Sequence, residues 1–170
     1  MSLNFILSQI LVGGALLSNL ASFQFKERVT VLRVLTLSVV LVSAHLFLLD
    51  QIAAGFLTLY AVLYFWVSTQ TTSQKVMLSF MLGGFIIFAF TYSSYLDWFV
   101  ILSTVLTLLS IYNPNQRRMR EFQFAGAITR IIYYGLIFSP VGILLEATLL
   151  GSNASAYYRF YIKKGAMLDF

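Results

Sequence analysis

Apolar positions in this chain come in long unbroken runs, each ended by a few polar or charged residues. Alternation of apolar and polar residues over about ten positions would indicate barrel strands, whereas runs of roughly 15–22 residues indicate helices long enough to cross a bilayer. Seven such runs are predicted, over residues 3–23, 29–49, 52–67, 76–92, 96–112, 122–138 and 141–158. Polar breaks separate them, among them Asp50-Gln51, the stretch 68–75, the turn 93–97, the stretch 113–121 (with the turn initiator Asn113-Pro114) and Ser139-Pro140. Met1-Ser2-Leu3-Asn4 enters the first run with no preceding Lys or Arg, which reads as a retained span, not a removed signal. Within that run Gly14, Ser18 and Ser22 form a small-residue stripe suited to close helix contact. The fourth run, with Gly83-Gly84 among Phe and Ile, is expected to face lipid along much of its surface.

Composition agrees with this pattern. The chain is 59% hydrophobic and 10% charged, with a mean hydropathy of +0.85, too little charge to cover a soluble domain. Since a backbone in lipid must satisfy its own polar groups, an all-α polytopic membrane protein with seven transmembrane helices is expected. There are no cysteines, which excludes disulfides, thiol catalysis and Cys-based metal sites. A single histidine and six carboxylates offer little for any other metal.

The net charge of +5 does not suggest nucleic acid once its location is considered. The basic residues that lie in breaks all fall in alternate ones: Lys26 and Arg28, then Lys75, then Arg117, Arg118 and Arg120, then Lys163 and Lys164. The remaining breaks hold only Asp50 and Asp97. The positive-inside rule therefore places the N-terminus outside and the C-terminus in the cytoplasm. Arg33 and Arg159 lie close to the cytoplasmic interface and are expected to snorkel. Trp66, Tyr157, Tyr158 and Tyr161 are expected as interfacial anchors.

The two ends of the chain have a similar layout. A span ending His45-Leu-Phe-Leu-Leu leads through a tight turn to Ala54-Gly55, and a span ending Tyr133-Tyr-Gly-Leu-Ile leads through Ser139-Pro140 to Val141-Gly142. The implied layout is 3+1+3: a repeat unit over 3–67, a linker helix over 76–92, a second unit over 96–161 and a short cytoplasmic tail over 162–170. With one span between them, the units would be parallel repeats.

Two charges stand where hydrocarbon should be. Arg130 and Glu146 each lie eight residues from Phe138, on opposite sides of the Ser139-Pro140 turn. Helical rise puts both roughly 12 Å below that turn, so they can meet. Burying either charge alone costs at least ~2.5–3.5 kcal/mol, and such residues are functional candidates by default. A neutralising pair that only fixes the register of two helices is the structural alternative. His45 is a second candidate, as a proton-coupling group or as a neutral histidine hydrogen-bonded within the bundle. Asn153, with Ser152 and Ser155, is a third, lining a polar pathway or bonding between helices; Ala147, Gly151 and Ser155 would form the packing stripe of that span. No nucleophile–base pair, His-Glu-x-x-His or aspartyl dyad is present, so no enzyme is expected.

The chain resembles the YgjV family of bacterial inner-membrane proteins. The resemblance rests on Phe25-Lys26-Glu27-Arg28, His45-Leu-Phe-Leu-Leu-Asp with Ala54-Gly55, Arg130-Ile-Ile-Tyr-Tyr-Gly, Ser139-Pro-Val-Gly-Ile-Leu-Leu-Glu146, Gly151-Ser-Asn153 and Tyr158-Arg159. It implies residence in the bacterial inner membrane. The 3+1+3 layout is also similar to that of the SWEET and PQ-loop transporters. The two prolines here, Pro114 and Pro140, lie in loops and not inside repeat helices, so that similarity implies architecture only.

The reading is of a small transporter or permease-like protein for a small polar or anionic solute. Arg130 would contact an anion or carbonyl, Glu146 would be its partner or a proton acceptor, and His45 and Asn153 would be secondary contacts. A non-transporting accessory subunit or assembly factor is the alternative. The expected partners are the lipid bilayer and a small solute, or else a homo-oligomer or membrane-complex partner. No nucleic acid, cofactor or metal is expected.

Overall fold

The computed structural model describes residues 3–22 and 28–162, excepting the side chains of 22, 28–33, 159 and 160. Among them are seven α-helices and no strand: α1 (Leu3–Ser22), α2 (Arg28–Leu48), α3 (Ile52–Ser68), α4 (Gln74–Thr91), α5 (Asp97–Ile111), α6 (Gln116–Leu136) and α7 (Pro140–Tyr157), followed by a π-helical turn, Tyr158–Ile162. Phe25, Lys26, Glu27, Lys163 and Lys164 lie outside the described residues, as do the side chains of Ser22, Arg28, Arg33 and Arg159, so the expectations placed on them fall there too.

The bundle is apolar outside and buries polar groups among its apolar core. Leu3, Leu17, Leu82 and Phe90 are exposed, while Ser8, His45, Asp97, Ser139 and Glu146 are buried. Among the described residues, Leu3–Ala21 and Gln74–Thr91 are apolar over at least 18 residues. The apolar helices Ile52–Ser68 and Asp97–Ile111 are shorter.

Six helices close into a ring: α1 packs on α2, α2 on α3, α3 on α5, α5 on α6, α6 on α7, and α7 back on α1. The fourth helix stands outside, against α3 and α5, and buries only Gly84 and Phe88. Tyr60 of α3 fills the place where a side chain at Gly83 would stand, so the pair of glycines lets α3 approach α4. On α1, Gly14 faces Leu41 of α2, and the buried face is Ser8, Val12, Ala15 and Asn19.

The hairpins α2–α3 and α6–α7 turn in the same way. Gln51 N–H donates to Leu46 O and Asp50 N–H to Phe47 O; correspondingly, Ser139 N–H donates to Tyr134 O and Phe138 N–H to Gly135 O. These are Schellman closures. Each places a non-glycine residue in the left-handed region, Asp50 at φ 56 and Phe138 at φ 55. Both turns then need a small residue where the next helix passes the aromatic ring behind it. A Cβ on Gly55 would stand 2.5 Å from the Phe47 ring, and one on Gly142 would stand 2.5 Å from the Tyr134 ring.

Two expectations are corrected. The basic stretch 113–121 is not a loop throughout, because α6 begins at Gln116, capped by Asn115, whose side chain accepts from the backbone N–H groups of Arg117 and Arg118. The helix thus starts before the apolar run does, since a cap and exposed arginines suffice to extend it into water. The stripe Ala147, Gly151, Ser155 does not pack α7; these three residues are exposed, and Gly142, Glu146 and Asn153 face inward. In lipid, small residues gain nothing that competes with pairing a carboxylate and an amide, and these two side chains set the rotation of the helix.

Candidate functional site

The ring encloses a cavity of about 300 Å³ lined by residues from all six of its helices and none from α4. Its residues run from the mid-depth of the helices to the ends that join the basic segments. Phe65 of α3, Ile111 of α5 and Gln123 of α6 lie at that end. Towards the Asp50 and Phe138 turns the lining stops at Val42, Leu57, Val100 and Tyr134. Beyond this point the interior is filled by a cluster that includes Leu46, Ala54 and Tyr133.

Arg130 and Glu146 meet in the cavity, Nε to Oε1 at 2.8 Å. Equal distance from the α6–α7 turn gives both side chains one depth, and adjacent packing of the two helices does the rest. Arg130 also donates from Nη1 to the Thr107 hydroxyl of α5 at 3.0 Å. Gly126, one turn earlier on α6, leaves room for that reach: a Cβ there would stand 3.3 Å from Nη1. The Glu146 side chain is almost wholly buried and the Arg130 side chain is a quarter exposed, so the cation is the partner that faces the open space. Oε2 of Glu146 is buried without a hydrogen-bond partner. An ion pair held for register alone would be expected to satisfy its remaining oxygen.

Facing the pair is a set of hydroxyls that had not been singled out in the sequence. Ser103, Thr104, Thr107 and Ser110 recur on one face of α5, a helical spacing hidden inside a short apolar run. Ser103 and Thr104 donate to Val100 O, Thr107 donates to Ser103 O and Ser110 donates to Met119 O. Ser38 of α2 donates to Ala15 O. Thr58 of α3 lines the same space, and its hydroxyl makes no hydrogen bond among the described residues.

His45 and Asn153 are not in this lining. His45 is fully buried at the other end, with Nδ1 2.9 Å from Ser8 O and Nε2 3.1 Å from Ser139 Oγ. A carbonyl can only accept, so Nδ1 carries the proton and Nε2 accepts from the Ser139 hydroxyl. The same hydroxyl oxygen caps α7 by accepting from Gly142 N–H. One neutral histidine thus ties α1, α2 and the start of α7 together. Alongside, Gln9 of α1 accepts from Val141 N–H, another first-turn amide of α7. On the opposite side of the ring, Tyr133 of α6 donates its hydroxyl to Gln51, the N-cap residue of α3. The two contacts are reciprocal, each joining the last turns of one hairpin's first helix to the cap of the other hairpin's second helix.

Asn153 works at the basic end. It accepts from Arg120 Nη1 and donates to Arg120 O, both at 3.0 Å, and so locks α7 to the start of α6. Tyr157, expected as an interfacial anchor, accepts from Arg117 Nε and donates to Glu121 Oε1. Asp97 is buried in its turn and accepts from the N–H groups of Ser93 and Ser94.

A family model described as Imp-YgjV, bacterial inner membrane protein, matches residues 6–164. Searches of curated proteins and of solved structures found no match. The apolar exterior, the polar groups buried within it and a match over nearly the whole chain agree: this chain belongs to the Imp-YgjV family of bacterial inner membrane proteins.

Proposed function

We propose that the protein is a transporter or permease-like protein for a small polar solute, with the Arg130–Glu146 cavity as its binding site, and that it is not an enzyme. The observation that carries this reading is the mid-depth cavity itself, in which a partly exposed guanidinium faces open space, backed by a carboxylate whose second oxygen is buried without a partner. Charges in such a place mark solute or ion pathways more often than ornament. The cavity reaches one end of the ring and is shut at the other, as one state of an alternating-access protein would be. The two similar turns, and a fourth helix that packs only beside α3 and α5, support reading α1–α3 and α5–α7 as parallel units around the site. Asp50 and Asp97 at one end, against Lys75, Arg117, Arg118 and Arg120 at the other, support an N-terminus outside and cavity access from the cytoplasm.

A second reading, of an accessory subunit or assembly factor, draws on the pairing of Arg130 with Glu146, which neutralises both without a ligand. Native mass spectrometry of protein extracted gently from its own membrane separates the two. A small molecule bound to the wild type and lost from Arg130→Ala supports the solute site. A stoichiometric protein partner with no small ligand supports the accessory reading and contradicts the first.

A further inference from the structure

The cavity selects by charge balance and by the direction of its hydrogen bonds. Among the described residues, Arg130 and Glu146 are the only charged ones in its lining, and they cancel. A bare anion or cation would leave its charge uncompensated in a low-dielectric site, whereas a solute of zero net charge would not. The hydroxyls of Ser38, Ser103, Thr104 and Ser110 spend their protons on backbone carbonyls and present lone pairs to the cavity. Behind this wall stands the negative charge of Glu146, whose Oε2 is buried without a partner. This wall calls for a donor-rich group with positive charge. On the other side, the pairings of Arg130 use Nε and Nη1, leaving Nη2 for an acceptor with negative charge. Leu57, Val100 and Leu145 supply apolar wall between these polar groups. At about 300 Å³, the space is at the small end for ligand pockets.

We infer that the site takes a small zwitterion, a solute carrying an ammonium and a carboxylate on a short apolar skeleton. The ammonium lies against the hydroxyl oxygens on the side of the Glu146 charge, and the carboxylate against Arg130 Nη2. Thr58 contributes an acceptor from the facing wall: α3 stands three places from α7 around the ring, and Thr58 lies eight residues past Asp50, as Glu146 lies eight past Phe138. A polyol would use the hydroxyl oxygens but would bring no negative charge to Arg130 Nη2 and no positive charge to the acceptor wall. The inference rests on the cavity being a solute site.

The test is a binding panel on the purified full chain in lipid nanodiscs, read by calorimetry. The probes are alanine, lactate (the ammonium replaced by hydroxyl), isopropylamine (the carboxylate removed) and glycerol, with leucine and its hydroxy-acid and amine analogues as a larger set. An amino acid binds the wild type at least about tenfold more tightly than its single-charge analogues or glycerol. Glu146→Gln leaves Arg130 unbalanced and turns the preference towards the hydroxy acid, and Arg130→Gln turns it towards the amine. Thr58→Val, which leaves the ion pair untouched, weakens amino-acid binding severalfold at unchanged melting temperature, and it decides the matter if the charge variants do not fold. A hydroxy acid, amine or glycerol that binds the wild type as tightly as the amino acid overturns the zwitterion and leaves the solute site standing. Charge variants that fold but keep the wild-type order of preference also overturn it. If the folded wild type binds nothing in the panel, both this inference and the solute-site reading fail.

Discussion

Arg130, Glu146 and His45 are three ionisable residues inside one membrane bundle, and their surroundings give them different work. Arg130 and Glu146 face a cavity and neutralise each other, while His45 is enclosed by protein and used as a hydrogen-bond bridge. Removing one member of the charged pair leaves the other buried and alone, which costs about 3–5 kcal/mol. Arg130→Leu and Glu146→Leu should each lower the melting temperature more than the Arg130→Leu/Glu146→Leu double variant does. Equal or additive losses would mean that the pair is not coupled. His45→Ala leaves Ser8 O and Ser139 Oγ without their partner and should destabilise by about 1–3 kcal/mol while leaving solute binding by the remaining folded protein unchanged. A change in affinity at unchanged stability would instead bring His45 into the site.

At the scale of the element, the determinants are caps and turns. Phe138 occupies a left-handed position that usually takes glycine, at a cost of about 1–2 kcal/mol. Phe138→Gly should raise the thermal midpoint, and a fall would show that the exposed ring anchors the turn in its surroundings. Gly142→Ala should destabilise by about 1–3 kcal/mol, because the added methyl meets the Tyr134 ring and the Ser139 hydroxyl. Thermal unfolding of the two variants side by side checks both signs. The sequence could show where α6 and α7 cross and that Arg130 and Glu146 share a depth, because helical rise converts residue number directly into height. It could not show which way α7 is rotated. The small-residue stripe through Gly151 pointed to one face, and the pairing of Glu146 and Asn153 turned the helix to another. The α5 hydroxyls were visible as letters at helical spacing, but only the closed ring shows that this face looks inward.

For the whole molecule, the decisive feature is asymmetry along the axis of the ring. At one end His45–Ser139 and Tyr133–Gln51 bridge the hairpins above a filled core. At the other, hydroxyls and open space extend from the ion pair towards the helix ends. The seven-helix count and the segregation of basic residues could be read from runs and breaks, since length and charge are local properties. The closure of α1 on α7, with α4 left outside, could not, because that is set by contacts between residues distant in the chain.

The central claim is a polar site at mid-depth that water reaches from the basic face. The chain has no cysteine, so one introduced thiol reports alone. The most direct measurement is modification of Thr58→Cys by a membrane-impermeant thiol reagent, applied separately to each face of sealed vesicles. Lys75→Cys and Asp50→Cys mark the two faces. The account predicts that Thr58→Cys reacts from the face that exposes Lys75→Cys and is protected from the face that exposes Asp50→Cys. Reaction from the Asp50 side, or from neither side while both markers react, would contradict it.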